Sequence, residues 1–287
     1  MTPPLLRLNI SADYPKRPNV LRGLQLEVNT GEIVGLVGRS GEGKSTIAMS
    51  ILGLLERRGG RCRGEILFQG RDLLQLAQKQ MRQVRGRQIG LVPQSPLAAL
   101  NPNLRLGRQL EEAWRAHRPG KPDARALMAS VSLPSEEEFL RKYPRNLSVG
   151  MAQRFVTAMA IMHAPPLLLA DEPTSSLDMI TQAEVLRLFR KLNQERGIAM
   201  LYISHDLASV ASICHRVTIL HQGEIVETGA VGDVFAKPSH PYTKELIGAI
   251  PRPAFQSESG TLALAQVLHE DSAASVMDNR DLRIAKN

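Results

Sequence analysis

One stretch, GRSGEGKST at 38–46, limits what this chain can fold into more than any other. An apolar run at 33–37 precedes it and an apolar segment at 47–55 follows, which reads as buried strand, glycine-rich loop and helix. Glycines let backbone N–H groups converge on phosphate oxygens where a side chain would obstruct them. The helix start adds a positive dipole end at the same point. The candidate triphosphate site is therefore the whole loop: Gly38, Arg39, Ser40, Gly41, Glu42, Gly43, Lys44, Ser45 and Thr46. Lys44 is placed to reach the outer phosphates, and the Ser45 hydroxyl to ligate magnesium. The predicted ligand is a nucleoside triphosphate with Mg2+.

The rest of the composition narrows the setting. Apolar residues make up 43% of the chain, enough for a sizeable core. No apolar run approaches the roughly 20 residues of a membrane-spanning helix, and the first residues lack a signal-peptide pattern. Cys62 and Cys214 stand far apart, without metal-site spacing. These features predict a reduced, cytoplasmic setting. The net charge of +8 comes from scattered arginines with few aromatics between them, so no nucleic-acid partner is expected, and a nearby membrane surface explains the charge equally well.

Along the chain, residues 5–10 and 24–28 read as strands with Tyr14 between them, an aromatic that could stack on a nucleobase. Gly59 and Gly60 are expected to end the helical region after the loop. Strands at 64–68 and 88–92 follow, and Gln94 lies at the end of the second, where a ligand meets the carboxyl edge of a sheet. From 95 onward helical spacing dominates: 104–116, 124–131, an acidic first turn capped by Ser135, and a long helix at 152–162 opened by Ser148. Residues 167–170 form a buried strand that delivers Asp171 and Glu172 at its end. Consecutive strand residues point to opposite sides, so one acid can hold magnesium while the other aligns a water. A helix from 179 is stopped by Gly197, and a strand at 198–203 ends at His205, placed for a γ-phosphate contact. His117, His163, His215, His221, His240 and His269 lack that context and read as structural. A hairpin at 216–227 and short helices at 231–236 and 241–250 complete the globular part. Residues 254–287 read as a mobile tail with a short helix near 262–268.

Taken in order, these residues resemble the nucleotide-binding subunits of ABC transporters, through about residue 250. GRSGEGKS resembles the Walker A loop, Gln94 the Q-loop glutamine, LSVGM the signature and LLLADEP Walker B. SSLD, ending at Asp178, resembles the D-loop, His205 the switch histidine, and Tyr14 the base-stacking aromatic. The resemblance implies an α/β fold: a P-loop NTPase (RecA-like) core, an antiparallel β subdomain, and an α-helical subdomain inserted at about 95–163 within a domain spanning 1–253. It implies an ATPase working as a head-to-tail pair, with Ser148 and Gly150 of one subunit covering ATP held by Walker A of the other, and Asp178 beside them. Glu172 would be the general base, with Lys44, Gln94 and His205 the other catalytic residues. Ser45, Gln94 and Asp171 would hold magnesium, and Gln94 would relay nucleotide state to a transmembrane permease. The implied location is the cytoplasmic face of the cell membrane, bound peripherally.

Gln94-Ser95-Pro96, Leu100-Asn101-Pro102, Tyr143-Pro144 and above all His240-Pro241-Tyr242-Thr243-Lys244 resemble the oligopeptide, dipeptide and nickel importer branch. That branch pairs two different ATPase subunits with permeases and an extracytoplasmic solute-binding protein, and takes up peptides or related small solutes. A cytosolic assembly such as a carbon–phosphorus lyase complex is the alternative. Val149 departs from the pattern by standing where the signature has glycine. It would be strained if that site needs positive φ, or would crowd the partner's γ-phosphate, and either predicts a weakened composite site and a different partner subunit. No cysteine follows Cys214, so no iron–sulfur centre is expected.

Overall fold

The computed structural model describes residues 3–249; the expected tail at 254–287, its short helix and His269 lie outside the described residues. The chain opens with β1 (Leu6–Tyr14) and β2 (Arg17–Val28), paired antiparallel from Leu6 opposite Val28 to Tyr14 opposite Arg17. Alternation is the cause: Leu6, Leu8, Ile10 and Ala12 face the core while Arg7 and Asn9 face solvent. β2 is longer than its sequence pattern at 24–28. Pro18 and Asn19 read as a turn, yet they lie in the strand, where pairing slips between Ile10 and Tyr14 and Asn19 takes a left-handed φ of 55°.

β3 (Ile33–Val37), buried at every residue, leads through the glycine-rich loop into α1 (Lys44–Ile51). α1 itself stops at Ile51, with Gly53 at positive φ just beyond, and a short 3-10 turn at Glu56–Arg58 then closes the helical region at Gly59, left-handed with φ 76°, as expected. β4 (Arg61–Phe68) returns to pair with β1, and β5 (Arg71–Asp72) completes a sheet ordered β2-β1-β4-β5. All of its pairings are antiparallel.

After α2 (Gln78–Val84) comes β6 (Ile89–Val92), then five α-helices before the next strand: α3 (Pro96–Ala99), α4 (Leu106–Arg115), α5 (Ala124–Ser130), α6 (Glu137–Arg141) and α7 (Val149–Ile161). The side chain of Gln109, 7% exposed, knits this insertion together. Its amide donates to the carbonyls of Asn101 and Leu104 and accepts from the Asn101 N–H. The cap expected at Ser135 falls one residue later, at Glu136, which makes no side-chain cap bond. Phe155, fully buried on α7, anchors the insertion to the core. Truncating such a ring to alanine costs about 3–5 kcal/mol.

The chain closes with β7 (Leu167–Asp171), α8 (Met179–Arg196), β8 (Ala199–Ser204), α9 (Leu207–Ile213), β9 (Arg216–His221), β10 (Glu224–Ala230), α10 (Val231–Ala236) and α11 (Pro241–Gly248). Gly197, with φ 63°, ends α8 as expected. The second sheet runs β10-β9-β3-β8-β7-β6, parallel apart from the β10 edge. It separates two cores: Ile33, Val37, Leu168, Ala170, Met200 and Tyr202 face α7, α8 and α9, while Val34, Leu36, Leu167, Leu169, Leu201 and Ile203 face α1 and the antiparallel sheet. Burial on both faces is why these strands read as unbroken apolar runs. Their carboxyl ends fall along one edge, so the segments beginning at Gly38, Pro93, Glu172 and His205 all emerge together.

Candidate functional site

The loop between β3 and α1 is shaped by what surrounds it. Gly43 has φ 106°, and a Cβ there would meet Leu21 Cδ2 at 2.8 Å. Gly38 has a different reason: a Cβ would lie 2.7 Å from both Glu42 Oε2 and the Leu220 carbonyl. Arg17 of β2 donates to the Gly41 carbonyl at 2.8 Å. Lys44 is 5% exposed and curls back over the loop, donating to the carbonyls of Gly38 (2.7 Å) and Arg39 (3.1 Å). Arg39 and Ser40 stand at the exposed tip, and Tyr14 Oη lies 3.5 Å from Thr46 Oγ1 at the base.

Asp171 ends β7 and is 7% exposed. Burial pushes its carboxyl above the ordinary range, against the Ser45 hydroxyl, which donates to Oδ1 at 3.2 Å. A hydroxyl and a buried carboxylate facing each other are the hard oxygen donors magnesium prefers, so these residues fit that ion.

Glu172 turns the other way. Its φ of 48° is left-handed, a conformation costing about 1–3 kcal/mol in a non-glycine residue, and its N–H is tied to the Ile203 carbonyl of the neighbouring strand. Three side chains meet its carboxylate: Gln94 Nε2 donates to Oε2 at 2.9 Å, His205 Nδ1 lies 3.4 Å from Oε2, and Lys44 Nζ lies 3.5 Å from Oε1. The four residues expected to be catalytic thus converge on one carboxylate from the ends of neighbouring strands and the loop. The Gln94 nitrogen is committed to Glu172, so its amide oxygen is the atom offered to a cation.

The other expected contacts form a separate group. Ser148 caps α7 by accepting from the Met151 N–H. Asp178 caps α8, accepting from the N–H groups of Ile180 and Thr181 and from the Thr181 hydroxyl. Gly150 lies under Thr181, whose Cγ2 would be 2.4 Å from an added Cβ. No hydrogen bond or ion pair among the described residues links Ser148, Gly150 or Asp178 to the loop. Val149 is the first residue of α7 and has no positive φ, so the backbone-strain reading of this position is set aside. Its side chain remains 37% exposed beside Met179 and Ile180, which are 85% and 76% exposed at the start of α8.

Glu42 makes contacts that no sequence motif marks. Its Oε1 accepts from Tyr242 Oη of α11 at 3.0 Å and lies 3.1 Å from Nδ1 of His221, a histidine with no motif context in the sequence. Arg39 pairs with Glu245 at 2.6 Å. The one available signal was the acid inside a phosphate loop, which requires donors from somewhere else in the chain.

Residues 21–175 match the ABC transporter family, and residues 226–271 match the oligopeptide/dipeptide transporter C-terminal region. The chain belongs to the ABC transporter ATP-binding proteins. It is 44% identical over 237 residues to a probable peptide ABC transporter ATP-binding protein of Sinorhizobium fredii, covering 80% of this chain and 71% of that one. With a dipeptide transport ATP-binding protein of Bacillus subtilis the identity is 40% over 245 residues, covering 83% and 73%. A dimeric bacterial ABC transporter cassette superposes with TM-score 0.69 at 27% identity, over 79% of this chain and 98% of that one, and was also solved in a post-hydrolysis state with ADP and Pi. As an ABC ATPase, the chain hydrolyses ATP. Among the described residues no helix is long and apolar enough to cross a membrane.

Proposed function

We propose that this ATPase energises import of peptides or a related small solute. It would do so by hydrolysing ATP between its own phosphate loop and the α7 head of a second ATPase subunit. The observation that carries the reading is the convergence of Lys44, Gln94 and His205 on Glu172, at the strand ends where the loop also emerges. The peptide and dipeptide transporter relatives support the cargo class.

The chemistry follows from the positions. A triphosphate drawn onto the loop amides takes Lys44 as a phosphate partner and loosens its hold on Glu172. The Glu172 carboxylate then accepts the proton of a water whose oxygen bonds to the γ-phosphorus. The β–γ bridging P–O bond breaks, giving ADP and inorganic phosphate. His205 is positioned to hold the γ-phosphate, and Tyr14 to stack on the base. Ser45, Asp171 and the Gln94 oxygen would hold magnesium, which supplies charge neutralisation on the phosphate oxygens when bound. Ser148 and Gly150 of the partner, a helix start, would cover the γ-phosphate from the other side.

Gln94 leads directly into α3, where Leu97 is 41% exposed, and this face would receive a cytoplasmic segment of the transmembrane permeases. The ATPase would sit peripherally on the cytoplasmic side, with an extracytoplasmic binding protein choosing the solute. Val149 supports the heterodimer reading, since its exposed side chain would crowd the partner's γ-phosphate. The test is ATPase activity of the chain alone and mixed with its neighbouring ATPase subunit. Activity in the mixture that Glu172→Gln removes supports the assignment, and activity indifferent to Glu172 overturns it.

A further inference from the structure

The phosphate loop carries a negative charge of its own. Glu42 lies between Gly41 and Gly43, and its side chain is only 13% exposed. A free carboxylate at that point would repel a triphosphate, so the contacts that fix it determine what the loop can bind. One carboxylate oxygen, Oε1, accepts from Tyr242 Oη at 3.0 Å and lies 3.1 Å from His221 Nδ1. The other, Oε2, is buried without a hydrogen-bond partner among the described residues and sits against the Cα side of Gly38. The Tyr242 ring, 5% exposed, stacks on His221 with centroids 3.7 Å apart and planes 24° apart. Burial, and next the Glu42 carboxylate itself, push its phenol up to about 12, so the hydroxyl keeps its proton and donates. Arg39 spans the same helix, paired with Glu245 and 5.6 Å above the Tyr242 ring. That outer pair is exposed and contributes little.

We propose that Tyr242, supported by His221, is a positioning residue for ATP binding: it holds the Glu42 carboxylate against the Gly38 side of the loop, away from the triphosphate. Helix α11 thereby forms part of the nucleotide site without touching the nucleotide, and ATP affinity depends on its docking. The unpartnered Oε2 is what makes the hold necessary. With no donor of its own, that oxygen stays in place only through the bonds to Oε1, and losing the tyrosine hydroxyl frees the arm to swing. The proposal rests on reading 38–46 as the triphosphate site, which Lys44→Ala tests separately by abolishing ATP binding.

The experiment is a double-mutant cycle on the full chain with its partner ATPase, reading ATP affinity by competition against a fluorescent ATP analogue, and turnover at saturating ATP. Tyr242→Phe keeps the ring stack and removes one hydrogen bond to a charged group, so affinity should fall about tenfold with the loss confined to KM. In a Glu42→Gln background, where no charge needs holding, the same change should alter affinity by less than about twofold. Equal weakening in both backgrounds would mean that Tyr242 acts by packing alone, and no weakening in either would mean the contact is idle; each overturns the proposal. Should Tyr242→Phe fail to fold, Glu42→Asp keeps the charge but draws it out of the hydroxyl's reach, and must weaken ATP binding by the same amount. Unchanged affinity in Glu42→Asp would overturn the proposal equally. If Lys44→Ala binds ATP normally, it is the triphosphate reading that fails, whatever the cycle gives.

Discussion

The edge of the parallel sheet and the paired heads of α7 and α8 hold their polar groups in opposite ways. At the sheet edge the functional side chains satisfy one another: Lys44, Gln94 and His205 share the Glu172 carboxylate, and Ser45 donates to Asp171. At the helix heads each polar group is spent on its own first turn, Ser148 on Met151 and Asp178 on Ile180 and Thr181. Apolar Val149, Met179 and Ile180 are left exposed around them. A cluster whose members answer one another is prepared for a ligand, because a triphosphate can replace contacts already aimed at a common point. A capped helix start with apolar neighbours is prepared for another surface. On the proposed reading the two regions are halves of different sites, and one chain would supply one half of each.

The largest effect should come from the hub. Glu172→Gln preserves size and the contact with Gln94 but cannot take a proton, so turnover in the mixed ATPase should fall by about 10²–10⁴-fold with ATP binding retained. A loss of binding together with turnover would recast Glu172 as a member of the binding site and remove the contrast between loop and acids.

Gly150→Ala sharpens the other side of the comparison. An added Cβ would lie 2.4 Å from Thr181 Cγ2, and overpacking of this kind costs about 1–3 kcal/mol. Thermal unfolding should show the loss, and adding Thr181→Ser should restore it, since serine lacks the offending methyl while keeping the hydroxyl that donates to Asp178. If the double variant is stable yet its ATPase is still impaired, Gly150 serves the nucleotide as well as the packing. If Thr181→Ser fails to restore stability, the helix heads do not meet as described.

Smaller again is Val149→Gly, expected to raise turnover of the reconstituted pair about two- to fivefold by clearing the partner's γ-phosphate approach, a change of roughly 1 kcal/mol or less. Turnover unchanged would mean that valine sits quietly and would remove the argument for an unlike partner.

How much of this was legible depended on distance along the chain. The convergence of Lys44, Gln94, Glu172 and His205 could be read because each follows a recognisable buried strand, and parallel strands with crossover helices put their carboxyl ends on one edge. The cap at Ser148 and the stop at Gly197 were legible for local reasons. The extent of β2 was hidden because Pro18 and Asn19 carry turn chemistry that the irregular pairing of β1 and β2 absorbs. The packing of Gly150 was hidden because its neighbour, Thr181, lies on another helix. His221 and Tyr242 were furthest from view: their contacts to Glu42 bridge 179 and 200 residues, and no periodicity marks a contact of that span. His240 and its neighbours signalled a branch resemblance without revealing that they dock on the phosphate loop.

That docking leads to the smallest effect, on acid stability. Glu227 of β10 accepts from the N–H and hydroxyl of Ser239 through Oε1 and from the His240 N–H through Oε2, tying down the start of α11. Partial burial pushes its carboxyl up, but the hydrogen bonds from Ser239 and His240, together with the nearby Thr243 hydroxyl, outweigh it and bring the pKa from 4.5 down to about 2. A carboxyl lowered on folding contributes stability that is complete above its unfolded value and is lost as pH falls through the folded one. The contribution should therefore be present above pH 4.5 and disappear toward pH 2. Comparing thermal midpoints of the parent chain and Glu227→Gln across that window checks it: the parent's advantage should shrink steadily as acid is added. An advantage independent of pH would assign Glu227 a packing role only. If the advantage shrinks as expected and ATP affinity of the parent falls with it, the anchoring of α11 and the shape of the phosphate loop belong to one structure, and the sheet edge extends to a helix nearly 200 residues away in sequence.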